Sequence, residues 1–398
     1  MKIGIINTTY GDGSTGYLSK KLFDFCSNYC ETFFFYGIGK KQNNKKIMKV
    51  QNFLGRKSHN LMSRLFGLQG FFSTQSSIKI IKTIKKEKIT HLFFCNLHGN
   101  YLNYDFLLKK ISNLGIKCLQ IMWDEFPFTG KCTFSYSCKK YEKECYKCEH
   151  LHDYPNSWFF DTSKFIQKRK KILFSKLDIG FVGAPFIVEK AKQSSILKGK
   201  QFFILDEAVD QTIFKTATPN YQLMEKLNIC PNKIIVLCVC SYPNERKGGQ
   251  FFVKMARHFE KDDRFIFVHV GVKPGNYSFP PNYRSVGFVN DKFELAEYYN
   301  ISDLFVCTSL AETQPDACLE ALSCGLHICG FDVAGIPSCA PNPIGNYFSI
   351  EKMGELFDFV SRASKKTQKT INETCEFSKR HFDINSYCAQ LLEIIKKI

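Results

Sequence analysis

The chain has 398 residues, 44% of them hydrophobic, a size that suits two α/β domains with a core each. No apolar run approaches the ~20 residues that a membrane span needs, which excludes an integral membrane protein of the helical kind. The formal charge of +18 is unevenly shared: residues 1–204 hold 34 Lys+Arg against 14 Asp+Glu, and residues 205–398 hold 21 against 23.

In chain order, Met1-Lys2-Ile3-Gly4-Ile5-Ile6-Asn7 reads as a buried first strand and not as a signal peptide, because it is short and feeds into a glycine loop. A cytoplasmic chain is expected, with the eighteen cysteines mostly reduced and in the core. The loop Thr8 to Gly16 precedes a helix through Phe25. Gly11, Gly13 and Gly16 match G-x-G-x-x-G, the fingerprint of a nicotinamide-dependent Rossmann enzyme. That fingerprint needs an acid at the end of the second strand, and Thr32-Phe33-Phe34-Phe35-Tyr36-Gly37 ends without one. Gly13, Ser14, Thr15 and Gly16 instead read as a turn whose backbone approaches a phosphate or sugar.

Further on, His91 to Asn103 places His98 beside Gly99 at the end of a strand, and Ile121 to Cys132 carries Asp124. Cys132, Cys138, Cys145 and Cys148 lie in a polar insert, residues 130–150, with the last two as C-x2-C. Four such thiols can hold a structural zinc, or remain reduced, or form two bridges if oxidised. The basic runs Lys40-Lys41 to Lys45-Lys46, Lys82 to Lys88 and Lys168-Arg169-Lys170-Lys171 carry the charge excess. An anionic membrane surface, nucleic acid or plain solvent could face them. No nucleic-acid-binding signature is present, so no nucleic acid is expected.

The second half begins near a polar joint at residues 205–232. Ile234 to Cys240 reads as a buried strand, followed by Ser241-Tyr242-Pro243-Asn244-Glu245-Arg246-Lys247-Gly248-Gly249 and an amphipathic helix from Gln250 to Phe259. Two cations beside a helix start can hold an anionic group such as a phosphate. Phe265 to Gly271 and Ser285 to Val289 follow as strand and turn. Asp303 to Ser309 reads as a parallel strand ending in hydroxyls, and Pro315-Asp316 as a helix start. Glu312 then lies in the loop and Glu320 about two turns into the helix, above the carboxyl edge of a sheet where ligands bind. Phe382 to Ile398 is helical in pattern. The chain holds no D-x-D to bind a diphosphate through a metal, so no catalytic metal is expected.

Glu312-x7-Glu320 with Cys324-Gly325, the Arg246-Lys247-Gly248 loop, Gly287-Phe288-Val289 and Phe331 to Pro337 together resemble retaining glycosyltransferases of family 4 with the GT-B architecture. The segments around His98 and Asp124 resemble "HLHNIHGYYLN" and "TLHDMWPFTGGC" of a subgroup of the colanic acid type that builds bacterial surface polysaccharides and shares a similar four-cysteine insert. The resemblance implies an α/β fold of two Rossmann-like domains: 1–204 plus about 380–398 on the acceptor side, and 205–379 binding a nucleotide sugar, UDP- or GDP-linked.

It implies that Lys247 and Arg246 meet the diphosphate, that Glu312 faces the donor sugar and that Glu320 holds the ribose. Ser241, Gly287, Phe288, Thr313 and Gln314 line the donor pocket, Gly13 to Gly16 face the cleft, and His98 and Asp124 stand on the acceptor side. The acceptor implied is a saccharide on a lipid carrier, with the chain peripheral to an anionic membrane face. Two departures stand out: Trp123 replaces a family His, and Asp206-Glu207-Ala208-Val209-Asp210 replaces "PNGVD". A nucleotide-sugar epimerase of the same fold, or a weakly active nucleotide-sugar-binding subunit, are the alternatives.

Overall fold

The computed structural model describes residues 1–398, and the chain divides into two compact units. Unit 1 comprises Met1–Leu205 and Asn385–Ile398, and unit 2 comprises Asp206–Ile384.

Unit 1 is built on seven strands: β1 (Lys2–Thr9), β2 (Glu31–Ile38), β3 (Ile47–Lys49), β4 (His91–Phe94), β5 (Lys117–Ile121), β6 (Ile179–Gly183) and β7 (Gln201–Ile204). They form one parallel sheet in the order β3-β2-β1-β4-β5-β6-β7. Parallel strands are covered by helices on both faces, so they read as continuous apolar runs rather than alternations. Phe33, Phe34, Phe35, Leu92, Phe93 and Phe94 are all buried accordingly. The last helix, Ile384–Lys397, buries Leu391, Leu392 and Ile395, and Ile398 beyond it packs against Gly180 of β6.

Unit 2 has six strands: β8 (Ile234–Tyr242), β9 (Phe265–Val272), β10 (Tyr283–Val286), β11 (Leu304–Cys307), β12 (His327–Phe331) and β13 (Gly345–Phe348). Their order is β10-β9-β8-β11-β12-β13, again all parallel. Every residue of β9 is buried.

Each sheet reverses its strand order once, between β1 and β4 in unit 1 and between β8 and β11 in unit 2. The loops leaving the carboxyl ends of the two strands that flank a reversal diverge, and a crevice opens between them. No helix is long and apolar enough to cross a membrane.

Candidate functional site

In unit 2 the two flanking loops are Pro243–Gly248 after β8 and Thr308–Pro315 after β11. They touch through backbone. Gly248 has φ +63° and a Cβ there would stand 1.8 Å from the Thr308 carbonyl oxygen, so only glycine fits at the start of the helix Gly249–His258. Leu310 N–H donates to the Arg246 carbonyl at 2.7 Å, and Arg246 Nη1 donates to the Ala311 carbonyl at 2.7 Å.

This contact brings the cations to the carboxylate. Lys247 Nζ donates to Glu312 Oε1 at 2.6 Å, and Arg246 Nη1 lies 3.2 Å from the same oxygen. Glu312 is only 8% exposed. Burial pushes its carboxyl up, but Lys247 and Arg246 outweigh that and hold it below the usual range. Glu312 thus stays charged beside two cations that a bound anion would also attract.

Glu320 is one turn into the helix Asp316–Ser323, not two, because the loop runs extended as far as Pro315 before the helix begins. Tyr299 O–H donates to Glu320 Oε2 at 2.8 Å, and Lys292 Nζ is 3.8 Å from Oε1. Burial pushes the Glu320 carboxyl up to about 7, partly opposed by Lys292. A raised carboxyl pKa means that folding favours the protonated form. Stability is therefore greatest below the unfolded value near 4.5 and is lost as pH rises through about 7. Glu320→Gln is expected to abolish that loss. Thermal midpoints of both proteins between pH 4.5 and 8 would check it, and parallel curves would contradict it.

The other donor-side candidates are placed as follows. Ser241 Oγ accepts from Asn244 Nδ2 at 3.0 Å. The Gly287 carbonyl accepts from Gly271 N–H at 3.1 Å, a Cβ on Gly287 would meet nothing within 4 Å, and Phe288 is exposed. Thr313 is buried, and its carbonyl is pressed against Gly335. The Gln314 amide is engaged within unit 2: it accepts from Glu207 N–H at 2.7 Å and donates to Asp206 Oδ1 at 3.0 Å and the Ser338 carbonyl at 3.1 Å.

In unit 1 the glycine loop after β1 and the segment after β4 flank the reversal. The expected turn at Gly13 to Gly16 is instead the first turn of the helix Gly13–Ser27, with Asp12 at its N-cap; Gly13 and Ser14 are exposed there and Gly16 is buried. The Thr15 carbonyl accepts from Asn7 Nδ2 at 3.2 Å, and Thr8 Oγ1 donates to the His98 carbonyl at 2.8 Å. His98 Nε2 is 2.6 Å from Asp124 Oδ2, and its Nδ1 is 3.0 Å from the Tyr154 hydroxyl. Asp124 Oδ1 also accepts from Phe126 N–H at 2.9 Å. The structure therefore joins His98 and Asp124 into one hydrogen-bonded group, with Tyr154 as an unexpected third member.

Lys170 corrects the reading of a solvated basic run. Lys168 and Lys171 are exposed, but Lys170 is buried in a small cavity with His98, Asp124 and Gln120. Its ammonium donates to the Phe126 and Thr129 carbonyls and lies 3.5 Å from the centre of the Phe126 ring. Burial pushes it down to about 7. The sequence carried the signal: Ile166, Lys170, Leu173 and Phe174 share one face of the helix Ser163–Ser175.

In the cysteine insert all four thiols are free. Cys132 and Cys148 are neighbours, and the hydrogen bond between them lowers Cys148 to about 6. Three ligand atoms within 4.8 Å of one another occur elsewhere, at Cys238, Cys240 and His269.

Residues 233–351 match the family model for glycosyl transferases group 1. The chain is 22% identical over 312 residues to WcaC of Escherichia coli (strain K12), named as a colanic acid biosynthesis glycosyl transferase, covering 74% of each. Among solved structures, sucrose-phosphate synthase from Thermosynechococcus elongatus superposes with a TM-score of 0.66 at 13% identity, covering 100% of this chain and 98% of that one. Anabaena Alr3699/HepE, in complex with UDP and glucose, gives 0.65 at 13%, covering 100% of both. A glycosyltransferase from Rickettsia africae gives 0.67 at 12%, covering 100% and 98%. At such identities the likeness carries the fold, and the matched domain carries the family: the chain has the GT-B fold, and its residues 233–351 are a glycosyl transferases group 1 domain.

Proposed function

We propose that the chain moves a sugar from a nucleotide-sugar donor to a saccharide acceptor with retention of configuration. The observation that supports this most is the Lys247–Glu312–Arg246 group at the strand-order reversal of unit 2, with Glu320 one helical turn beyond. In this reading Lys247 and Arg246 take the charge that develops on the leaving diphosphate. Glu312, released from them, accepts hydroxyls of the donor sugar. Glu320 receives the ribose, and the open backbone at Gly287-Phe288 meets the base. Attack comes from the leaving-group face, with a donor phosphate oxygen taking the acceptor proton. His98 and Asp124 orient the acceptor from unit 1.

UDP-sugars are the first donors to test, since UDP is bound by the Anabaena protein of the same fold, and GDP-sugars are next. Release of free nucleotide across such a panel, with and without saccharide acceptors, supports the reading. Interconversion of the donor sugar without release would favour the epimerase. Binding without turnover would favour a partner subunit.

The acceptor is proposed to be lipid-linked, with the chain at the cytoplasmic face of an anionic membrane. Charge alone suggested this, and the surface of unit 1 adds an apolar element. Phe53, Leu54, Leu61 and Phe66 of the helix Phe53–Phe66 are exposed, as are Trp158, Phe159 and Phe160. Phe66 stacks on Phe160 with centroids 6.5 Å apart, and the Arg64 guanidinium lies 5.9 Å from the Trp158 ring centre. Aromatic rings beside cations suit the headgroup region. Co-sedimentation should be strong on anionic vesicles, poor on neutral ones, and weaker as salt shortens the Debye length from ~10 Å at 0.1 M to ~3 Å at 1 M. Phe159→Ser and Leu54→Ser, both at exposed positions, should weaken it further at high salt. Equal binding to both vesicle types, indifferent to salt, would sink the anionic-surface reading, and no binding to either would sink the membrane proposal whole; both outcomes leave transfer untouched.

A further inference from the structure

We propose that Cys238, Cys240 and His269 form a binding site for one soft divalent metal ion, zinc being the probe of choice. The strand periodicity makes the site. Cys238 and Cys240 are two apart on β8 and so point to the same face, and the parallel register places His269 of β9 opposite Cys238. The pairing becomes irregular between Val239 and Tyr242, which brings Cys240 in as well.

The distances fit a coordination shell. Sγ of Cys238 lies 3.6 Å from Sγ of Cys240, and Cys240 Sγ lies 3.2 Å from His269 Nε2. All three ligand atoms fall within 4.8 Å of one another. With zinc–sulfur bonds of about 2.3 Å and zinc–nitrogen bonds of about 2.0 Å, the edges of a tetrahedral site are roughly 3.4–3.8 Å. The sulfur–sulfur edge of 3.6 Å falls inside that range, and the sulfur–nitrogen edge of 3.2 Å lies just below it.

The surroundings fit as well. His269 is buried, and its Nδ1 is 2.5 Å from the Tyr283 hydroxyl, which leaves Nε2 facing Cys240, 3.2 Å from both its sulfur and its carbonyl oxygen; an ion would take the place of the carbonyl contact. Metal-bound imidazoles are usually anchored through the other ring nitrogen in this way. Thr308 Oγ1 is buried beside the Cys238 sulfur and within reach of it as a hydrogen-bond donor, which favours the thiolate form. Two thiolates cancel the charge of a divalent ion, so the buried group carries no net charge. Thiolate and imidazole are ligands that select zinc-like metals over magnesium or calcium. Cys240 is the partly exposed member and gives access. It immediately precedes Ser241, so an ion here would tie β8 to β9 at the root of the loop bearing Arg246 and Lys247.

The test uses the full chain, stripped with a chelator and then given Zn2+ alone. Wild type is expected to bind one equivalent more than Cys240→Ser or His269→Gln, a difference to which any zinc in the four-cysteine insert contributes nothing. In wild type, Zn2+ should slow alkylation of Cys240 by iodoacetamide, read by peptide mass spectrometry, by more than about tenfold, because the free thiolate is the nucleophile. Equal stoichiometry in folded variants, or alkylation of Cys240 at the same rate with and without Zn2+, would overturn the proposal. The alkylation arm needs no substitution, so it decides even if a variant does not fold. Neither arm depends on sugar transfer.

Discussion

Lys247→Ala is expected to lower transfer by roughly two to three orders of magnitude, the loss found when one preorganised stabilising donor is removed. The ammonium is the nearest cation to Glu312, at 2.6 Å, and it stands on the loop at the sheet's reversal. The thermal midpoint near neutral pH should fall only modestly, because Arg246 remains 3.2 Å from the same carboxylate oxygen and keeps it charged. Acid behaviour should change. Glu312 is held below its ordinary range, so its contribution to stability is present above about 4.5 and lost as pH falls. Without Lys247 that contribution shrinks, and the stability of the variant should fall off less on acidification. Lys247→Arg should recover part of the rate. Activity left intact together with a large loss of stability would refute a role at the diphosphate.

The second large effect is expected at Gly335. Its N–H donates to the Glu312 carbonyl at 2.9 Å, and a Cβ would stand 1.5 Å from the Thr313 carbonyl oxygen. Its φ of −86° suits any residue, so the cost of a methyl group is steric and falls on the loop that carries Glu312. Gly335→Ala should therefore lose about 1–3 kcal/mol by overpacking. It should also lose on the order of 100-fold in transfer, since a displacement near 1 Å is enough for that. Gly354→Ala is the control. That glycine lies in the helix Met353–Ser361 and a Cβ there would meet nothing within 4 Å, so stability should rise by about 0.5–1 kcal/mol at unchanged rate. Transfer at the wild-type rate in Gly335→Ala would show that the Glu312 loop does not need its present position.

The strands were legible because buried parallel strands are unbroken apolar runs. Ile234 to Cys240 and Phe265 to Gly271 fall within β8 and β9 to within two residues at the ends. The loops were legible from glycines and hydroxyls. What no local pattern could give is the pairing of Lys247 with Glu312, which are 65 positions apart and meet only because β8 and β11 are neighbours. The same holds for Tyr299 and Glu320. Cys238 and Cys240 read as core thiols because the third member, His269, comes from the adjacent strand. Lys170 is hidden for another reason: a run of like charges looks uniformly solvated along the sequence, and only the phase of the helix Ser163–Ser175 turns this one lysine inward.

The assignment of Asn385–Ile398 to unit 1 has a consequence for how the chain is made. Unit 2 is an insertion between two parts of unit 1, so the ribosome finishes the second unit before it supplies the last piece of the first. At 5–20 residues per second the delay is roughly ten to forty seconds. During that time the apolar surface around Gly180 that Ile398 covers is open to water. A stop codon a few residues early would therefore wound the half of the protein synthesised first and spare the half synthesised last. Nascent chains paused at the end of unit 2 should be protease-resistant in unit 2 and sensitive in unit 1.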